Sequence, residues 1–301
     1  MQNKKYSAIT IGNFDGLHLG HRKIISTLKG ESKKSWEKIA ITFYPHPLHF
    51  IKPEKSPKML FPIEKRVENL EKLGLDKIIV INTNRKFLNL TSEEFCSKFL
   101  IPLNPKIIVI GKNFKFGKNR SGDVKFLERF FKEKKTKIIG VSEERYNGKV
   151  ISSTWIRDLL KKGNISLANK LLGSEYEIEG IVVEGKGIGR KLGFKTANLY
   201  TEYSTILSHG VYITETEVDN KIYKSVTNIG LRPTVEKRER EIIETHILDF
   251  DRDIYDKKIK IKFLKKLRNE EKFENLELLK LKIKSDIEKA QKFFEVVKYG
   301  N

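Results

Sequence analysis

From the amino end to about residue 172 the chain alternates short β-branched runs with longer segments whose apolar residues recur every three or four positions. The runs Ala8–Phe14, Ile39–Tyr44, Lys77–Ile81, Lys106–Ile110 and Lys137–Val141 predict strands. Helical patterns fall between them. One starts near His21 with Ile24, Ile25 and Leu28 on one face, and another runs from Glu64 to Leu73 and stops at Gly74. This rhythm predicts a mainly parallel, doubly wound α/β sheet. Two short helices follow, Thr154–Lys162 and Ser166–Leu172, and then the pattern changes. Glu177–Glu184, Gly210–Val218, Lys221–Asn228, Ile242–Leu248 and Lys258–Leu264 predict strands with few helices between them, the mark of an antiparallel barrel or sandwich. Leu276, Leu279, Ile283, Ile287, Ala290, Phe294 and Val297 then give a closing helix one apolar stripe. A boundary near Gly173 divides the chain into domains at 1–173 and 174–301.

The chain has 301 residues, 39% of them hydrophobic, which is enough for two packed cores. Its single cysteine, Cys96, lies in the helical-looking stretch Thr91–Leu103, so no intrachain disulfide or cysteine-built metal site can form. A reducing, cytoplasmic setting is expected. The polar start and the interruption at Gly12, Asn13 and Asp15 leave no signal-peptide core or membrane span, so no membrane partner is expected. A net charge of +21 raises the alternative of a nucleic-acid-binding protein. Against it, the lysines are scattered, and the densest groups, Lys132–Lys135 and Lys265–Arg268, contain or adjoin acids, as solvated helix faces do. No dedicated nucleic-acid partner is expected, and the excess charge suits anionic small-molecule substrates.

Chemistry concentrates where the first strand becomes the first helix. His18 and His21 sit at the helix start, where ring N–H groups, backbone N–H groups and the helix dipole aim at one anion. Gly12, Gly16 and Gly20 let a ligand approach the backbone. The string Ile151-Ser152-Ser153-Thr154-Trp155-Ile156-Arg157 offers hydroxyls leading a helix and a guanidinium in its first turn, a second phosphate cradle. In the second half, Gly180–Asn198 carries glycines with Gly-x-Gly spacing after a strand. No helical period follows them, and Lys191–Leu199 reads as short and irregular, which argues against a dinucleotide fold. A glycine loop with Gly187 and Arg190, followed by Thr196 and Asn198, instead offers amides for phosphate and two neutral oxygens for a hard cation.

The first-half strings Thr10–His21, Phe43–Pro47, Gly111–Gly117 and Ile151–Arg157 resemble the FMN adenylyltransferase module of bacterial bifunctional riboflavin kinase/FAD synthetases. Gly180–Asn198 is similar to the riboflavin kinase signature. The likeness continues through Gly210–Tyr212, Asn228–Thr234, Glu244–Phe250 and Leu267–Phe273. The resemblance implies a Rossmann-like nucleotidyltransferase domain, then an antiparallel β-barrel riboflavin kinase domain with a C-terminal helix. ATP would phosphorylate riboflavin to FMN in the second domain and adenylylate FMN to FAD in the first, with Mg2+ accompanying ATP.

By the same resemblance His18 and His21 act on the ATP phosphates, with Gly12, Phe14, Gly20, Asn113, Ser153 and Arg157 around them. Pro45 and Pro47 help form a flavin pocket, although a rigid turn after a strand explains them equally well. Gly187 and Arg190 bind phosphate, Thr196 and Asn198 position metal and ATP, Glu244 is the general base and Arg268 contacts flavin. Two positions depart from the family pattern: Lys195 stands where proline is usual, and Asp256 where glycine is usual. They leave open an adenylyltransferase whose kinase half has decayed, although neither removes a reacting group.

Overall fold

The structure, a computed structural model, describes residues 5–299 apart from 186, 188, 190, 191 and 234–238; at 232, 233, 239, 240 and 297–299 it describes the backbone alone. Two compact units are present, Met1–Ser153 and Thr154–Asn301. The helices Ser153–Lys161 and Ile165–Leu172 therefore fall almost entirely in the second unit.

In the first unit β1 (Ser7–Ile11), β2 (Glu37–Tyr44), β3 (Lys77–Asn82), β4 (Pro105–Gly111) and β5 (Lys137–Val141) form a parallel sheet in the order β3-β2-β1-β4-β5. Both faces are covered, which is why the strands read as unbroken apolar runs. Ala8, Ala40, Ile107 and Val109 meet Ile25 and Leu28 of the helix Leu19–Glu31 on one side. Ile9, Ile39, Ile41, Ile108 and Ile110 meet Phe95, Leu100, Leu127 and Phe131 on the other. Strand order reverses direction beside β1, between β1 and β4, and in such sheets the crevice beyond the carboxyl ends at that point is the ligand seat. The turn after Ile11 and the segment after Gly111 both open there. The first strand is shorter than its apolar run, because the chain turns at Gly12, and the following helix starts at Leu19 rather than near His21. The Thr91–Leu103 stretch is helical in three registers, an α turn capped by a Thr91/Glu94 box, a π turn at Cys96–Leu100 and a 3-10 turn at Ile101–Leu103. A short hairpin, β6 (Arg145–Tyr146) with β7 (Lys149–Val150), follows.

In the second unit β8 (Tyr176–Val183), β9 (Ala197–Tyr200), β10 (Gly210–Val218), β11 (Lys221–Pro233), β12 (Glu239–Ile247) and β13 (Lys258–Arg268) close into an antiparallel barrel in the order β10-β11-β12-β9-β8-β13. The sequence pattern anticipates five of these strands. The sixth, β9, lies in the stretch expected to be irregular; four residues long, with only Leu199 buried, it carries too little alternation to show. The hairpin between β10 and β11 turns on Asp219 and Asn220, both at positive φ (+49° and +61°), as a two-residue turn of this hand requires.

Inside the barrel, five wholly buried serine and threonine hydroxyls close a ring among themselves. Thr214 bonds Ser225 (2.8 Å) and Thr227 (2.7 Å), Thr227 bonds Thr245 (2.9 Å), and Thr216 bonds Thr245 (3.3 Å) and Ser225 (2.8 Å). Alternation then turns Val211, Ile213 and Val226 outward, where Ala290 and Phe294 of the C-terminal helix Leu276–Tyr299 cover them. Leu276, expected to begin the apolar stripe, is 57% exposed in the helix's first turn.

Candidate active sites

The turn after β1 is held by its own buried side chains. Phe14 and Leu17 adopt left-handed backbone angles (φ +47° and +44°) that cost a non-glycine residue on the order of 1 kcal/mol or more. Both are buried in the core beneath the helix, which offsets that cost. Phe14 can thus offer a ligand its backbone but not its ring. His18 occupies the N-cap position of Leu19–Glu31 and does not cap the helix with its side chain. Its ring stacks on that of His21 with centroids 3.8 Å apart and planes at 20°, and Phe14 meets His21 edge-on at 5.4 Å. Gly20 gives the stack room, since a Cβ there would lie 3.1 Å from the His18 ring, closer than an ordinary contact. Burial, and secondarily the neighbouring His18, holds the His21 pKa well below the usual imidazole value. Its Nδ1 is sealed from solvent without a hydrogen-bond partner among the described residues. With the His21 pKa held down beside a helix start, its ring favours an anion site that presents a dipole over one that presents a fixed charge.

Of the other expected residues, Ser153 and the Pro45–Pro47 loop meet this turn directly. The Ser153 hydroxyl donates to the Asp15 carbonyl at 2.8 Å. Asn113, just past β4, donates to Glu143 at 2.6 Å. The Pro45–Pro47 loop follows β2 at the same sheet edge, and His46 within it meets the Asn13 amide at 3.2 Å. Gly12 packs against the Phe14 ring, 3.2 Å from where a Cβ would stand. Arg157, one helical turn beyond Ser153, is buried and lies in the second unit.

The sequence reading missed Arg66. Wholly buried, it donates to the carbonyls of Asn13 (2.7 Å) and Phe43 (3.4 Å). Burial lowers its pKa, which the nearby Asp15 carboxylate opposes. Asp15 in turn accepts from the Leu60 amide at 2.8 Å. The available signal was an arginine four residues before Leu70, on the buried face of an amphipathic helix.

The second site follows from barrel register. Glu244 on β12 pairs directly with Asn198 on β9 and with Asn228 on β11; Asn228 pairs with Val211 on β10, and Val211 with Arg268 on β13. Directly paired residues share a face, so five strands place one row of side chains along a cavity of about 390 Å³ between the barrel's outer wall and the C-terminal helix. Thr196, Asn198, Glu244, Arg268 and Gly187 all line it. Thr196 also lines a second cavity of about 240 Å³, walled by Phe250, Asp251, Arg252 and Tyr255.

The glycine loop wraps these oxygens closely. A Cβ on Gly185 would fall 2.1 Å from the Asn198 amide, and one on Gly189 would fall 2.5 Å from the Phe194 carbonyl and 3.1 Å from the Thr196 hydroxyl. Arg190 lies outside the described residues. Lys195 is tethered at both ends, its ammonium to Asp251 and its carbonyl to the Nδ1 of His246 at 2.7 Å. Asp256 takes the left-handed angle (φ +60°) that a turn glycine would supply. Neither residue lies in the Asn198–Glu244–Asn228–Val211–Arg268 row.

Cys96 is buried, and its thiol is pushed up to about 12 by desolvation and by Glu93, so it is no nucleophile. No group of three or more His, Cys, Asp or Glu among the described residues could hold a metal by itself.

Comparison with known proteins decides what the two sites belong to. The FAD synthetase family matches residues 1–155 and the riboflavin kinase family residues 172–294. The bifunctional riboflavin kinase/FMN adenylyltransferase of Buchnera aphidicola subsp. Schizaphis graminum is 38% identical, covering 97% of this chain and 95% of that one. Its namesakes in Bacillus subtilis and Escherichia coli K12 are 37% and 36% identical, each over 96% of this chain and 92% and 93% of theirs. The chain belongs to the bifunctional riboflavin kinase/FMN adenylyltransferase family.

It is accordingly a two-domain enzyme of flavin coenzyme synthesis, an FAD synthetase domain followed by a riboflavin kinase domain, with ATP, riboflavin and FMN as substrates. A crystal structure titled macrolide-efflux protein, from Streptococcus pneumoniae, shares the architecture with a TM-score of 0.85, at 27% identity over 95% of this chain and 94% of that one. Efflux is said of that protein. Among the described residues here, no helix is long and apolar enough to cross a membrane.

The kinase domain also contains residues that motif reading passed over. Asn228 stands beside Glu244 in the row, and Asp286 on the C-terminal helix is 2% exposed and paired with Arg268. Its signal was an aspartate three residues after Ile283, inside an otherwise apolar stripe.

Proposed function

We propose that each domain carries one step, with the stacked imidazoles serving adenylylation and the Asn198–Glu244–Asn228 row serving phosphorylation. The observation that carries this reading is the register row, which sets a carboxylate between two amides and beside Thr196, the residue common to both barrel cavities. Riboflavin takes the larger cavity and the nucleotide the smaller, with the γ-phosphate arriving at Thr196. Glu244 removes the proton of the ribityl 5′-hydroxyl as that oxygen attacks the γ-phosphorus; the bond to the β-phosphate oxygen breaks, and ADP leaves.

Thr196 and Asn198 fit the cation that accompanies ATP. They offer a hydroxyl and an amide oxygen, both hard donors, and the glycines packed on them leave no side chain in the way. Two protein donors suffice for Mg2+, which keeps most of its ligands as water and phosphate. Mg2+ supplies charge neutralisation on the phosphate oxygens when bound.

In the first domain a phosphate oxygen of FMN attacks the α-phosphorus of ATP, the bond to the β-phosphate breaks, and pyrophosphate departs. His18, His21 and the helix start hold the phosphates in line, with Asn113 and Ser153 as further donors and the Pro45–Pro47 loop toward the flavin. Gly12, Phe14 and Gly20 contribute backbone and room, and Gly187 and Arg190 contribute phosphate contacts in the barrel. The reading places the enzyme in the cytoplasm, where its ATP is made. Small molecules are its only partners in this scheme, with no nucleic acid.

Chromatography of products from riboflavin, MgATP and purified variants tests the assignment. His18→Ala should make FMN and no FAD, whereas Glu244→Gln should make no FMN yet convert supplied FMN to FAD, each loss being at least about 100-fold. Equal loss of both activities in either folded variant refutes one site per domain. A wild-type protein that adenylylates FMN but makes none from riboflavin would favour the decayed kinase.

A further inference from the structure

The cavity under the C-terminal helix has a charged end that phosphoryl transfer does not use. Arg268, the last residue of β13, donates from Nε to Asp286 at 2.8 Å and from Nη1 to the Asn269 carbonyl at 3.1 Å. Its guanidinium lies 5.7 Å from the Phe273 ring centroid. Asp286 shares its helix face with Ile283, Ile287 and Ala290 and is 2% exposed. Its second oxygen, Oδ1, is sealed with no hydrogen-bond partner among the described residues. A half-bonded carboxylate at such a position stabilises a fold less than an apolar side chain of similar size would. Its effect on Arg268 gives it a purpose. With Nε on Asp286 and Nη1 on the Asn269 carbonyl, two donor directions of the guanidinium are fixed, while Glu271 on the same cavity wall feels its charge.

Distance along the row says what Arg268 can reach. From Glu244 through Asn228 and Val211 to Arg268 is three strand spacings, about 14 Å. A five-carbon polyol joined to a three-ring heterocycle has that order of length. With the ribityl 5′-hydroxyl at Glu244, the two outer rims of the flavin lie at similar distances, and the guanidinium donors of Arg268 match the pyrimidine-dione edge, which carries two carbonyl acceptors, and not the methylated one. The Arg268–Asp286 pair has no net charge, which suits a neutral ring.

We propose that Asp286 is a positioning residue that presents Arg268 to a carbonyl of the flavin pyrimidine edge, making the pair the element by which the kinase domain selects its acceptor. The proposal rests on the seating of riboflavin in this cavity.

Kinase kinetics of the full chain test it, using riboflavin, its 2-thio and 4-thio analogues, which are poorer acceptors at that edge, and 7,8-didemethylriboflavin, altered at the opposite rim. Asp286→Asn should raise KM for riboflavin about tenfold, with kcat within about twofold and KM for ATP unmoved. It should also compress the preference for riboflavin over at least one thio analogue several-fold, while preference over the didemethyl analogue stays as in the wild type. Asp286→Glu should recover part of the preference. A raised KM with every preference unchanged would make Asp286 a mere latch and overturn the proposal. Ile242→Trp, which fills the cavity from β12, separately tests the seat. An unchanged riboflavin KM there would remove the flavin from this cavity and refute the seating itself.

Discussion

Thr227→Val isolates the hydroxyl ring inside the barrel, because valine keeps the shape of threonine and deletes one bridging oxygen. Two bonds are lost, to Thr214 at 2.7 Å and to Thr245 at 2.9 Å. Thr214 keeps Ser225, and Thr245 keeps only the longer contact with Thr216. At about 1 kcal/mol net per neutral bond, the barrel should lose about 2 kcal/mol. For a unit of this size that corresponds to a drop in its melting midpoint of roughly 4–8 °C. The assay is thermal inactivation read twice from one tube, by riboflavin phosphorylation and by FMN adenylylation. Only the phosphorylation midpoint should move. The ring also predicts an asymmetry, since replacing all five hydroxyls with shape-matched apolar groups strands no partner and should cost less than the single change. A Thr227→Val barrel as heat-stable as the wild type would refute the view that the ring acts as a connected network.

Further outcomes follow from the first domain. His21 has a folded pKa below its unfolded value of about 6.5, so the unfolded chain binds the extra proton. Its contribution is complete above that pH and is lost as pH falls through the window below it, with a slope of at most about 1.4 kcal/mol per pH unit. Denaturation of the adenylyltransferase unit between pH 5 and 8 should therefore be less pH-dependent in His21→Gln; an identical slope in the variant would contradict the assignment. Gly20→Ala places a methyl carbon 3.1 Å from the His18 ring and should push that ring a few tenths of an ångström out of its place in the stack. Adenylylation should then fall about tenfold or more while phosphorylation is retained, and undiminished FAD synthesis would show the stack to be dispensable.

The parallel sheet was legible because its central strands β1, β2 and β4 are buried on both faces and read as continuous apolar runs, because the half-buried edge strands β3 and β5 are still rich in isoleucine, and because glycines punctuate the turns between them. The barrel was legible in five strands and silent in the sixth. Residues Ala197–Tyr200 are held by pairing with β8 and β12, not by an apolar face of their own, and pairing leaves no trace in a hydropathy pattern.

The same contrast divides the site residues. His18, His21, Thr196 and Asn198 lie within a few positions of glycines and announce themselves as motifs. Asn228, Arg66 and Asp286 acquire meaning only through partners far along the chain, 16, 53 and 18 residues away at Glu244, Asn13 and Arg268. A polar residue inside an apolar stripe is the one local hint such positions leave, and Arg66 and Asp286 both leave it. A charge placed where a hydrophobe would pack better, and bonded to another group, is a position to test by substitution whether or not a motif surrounds it.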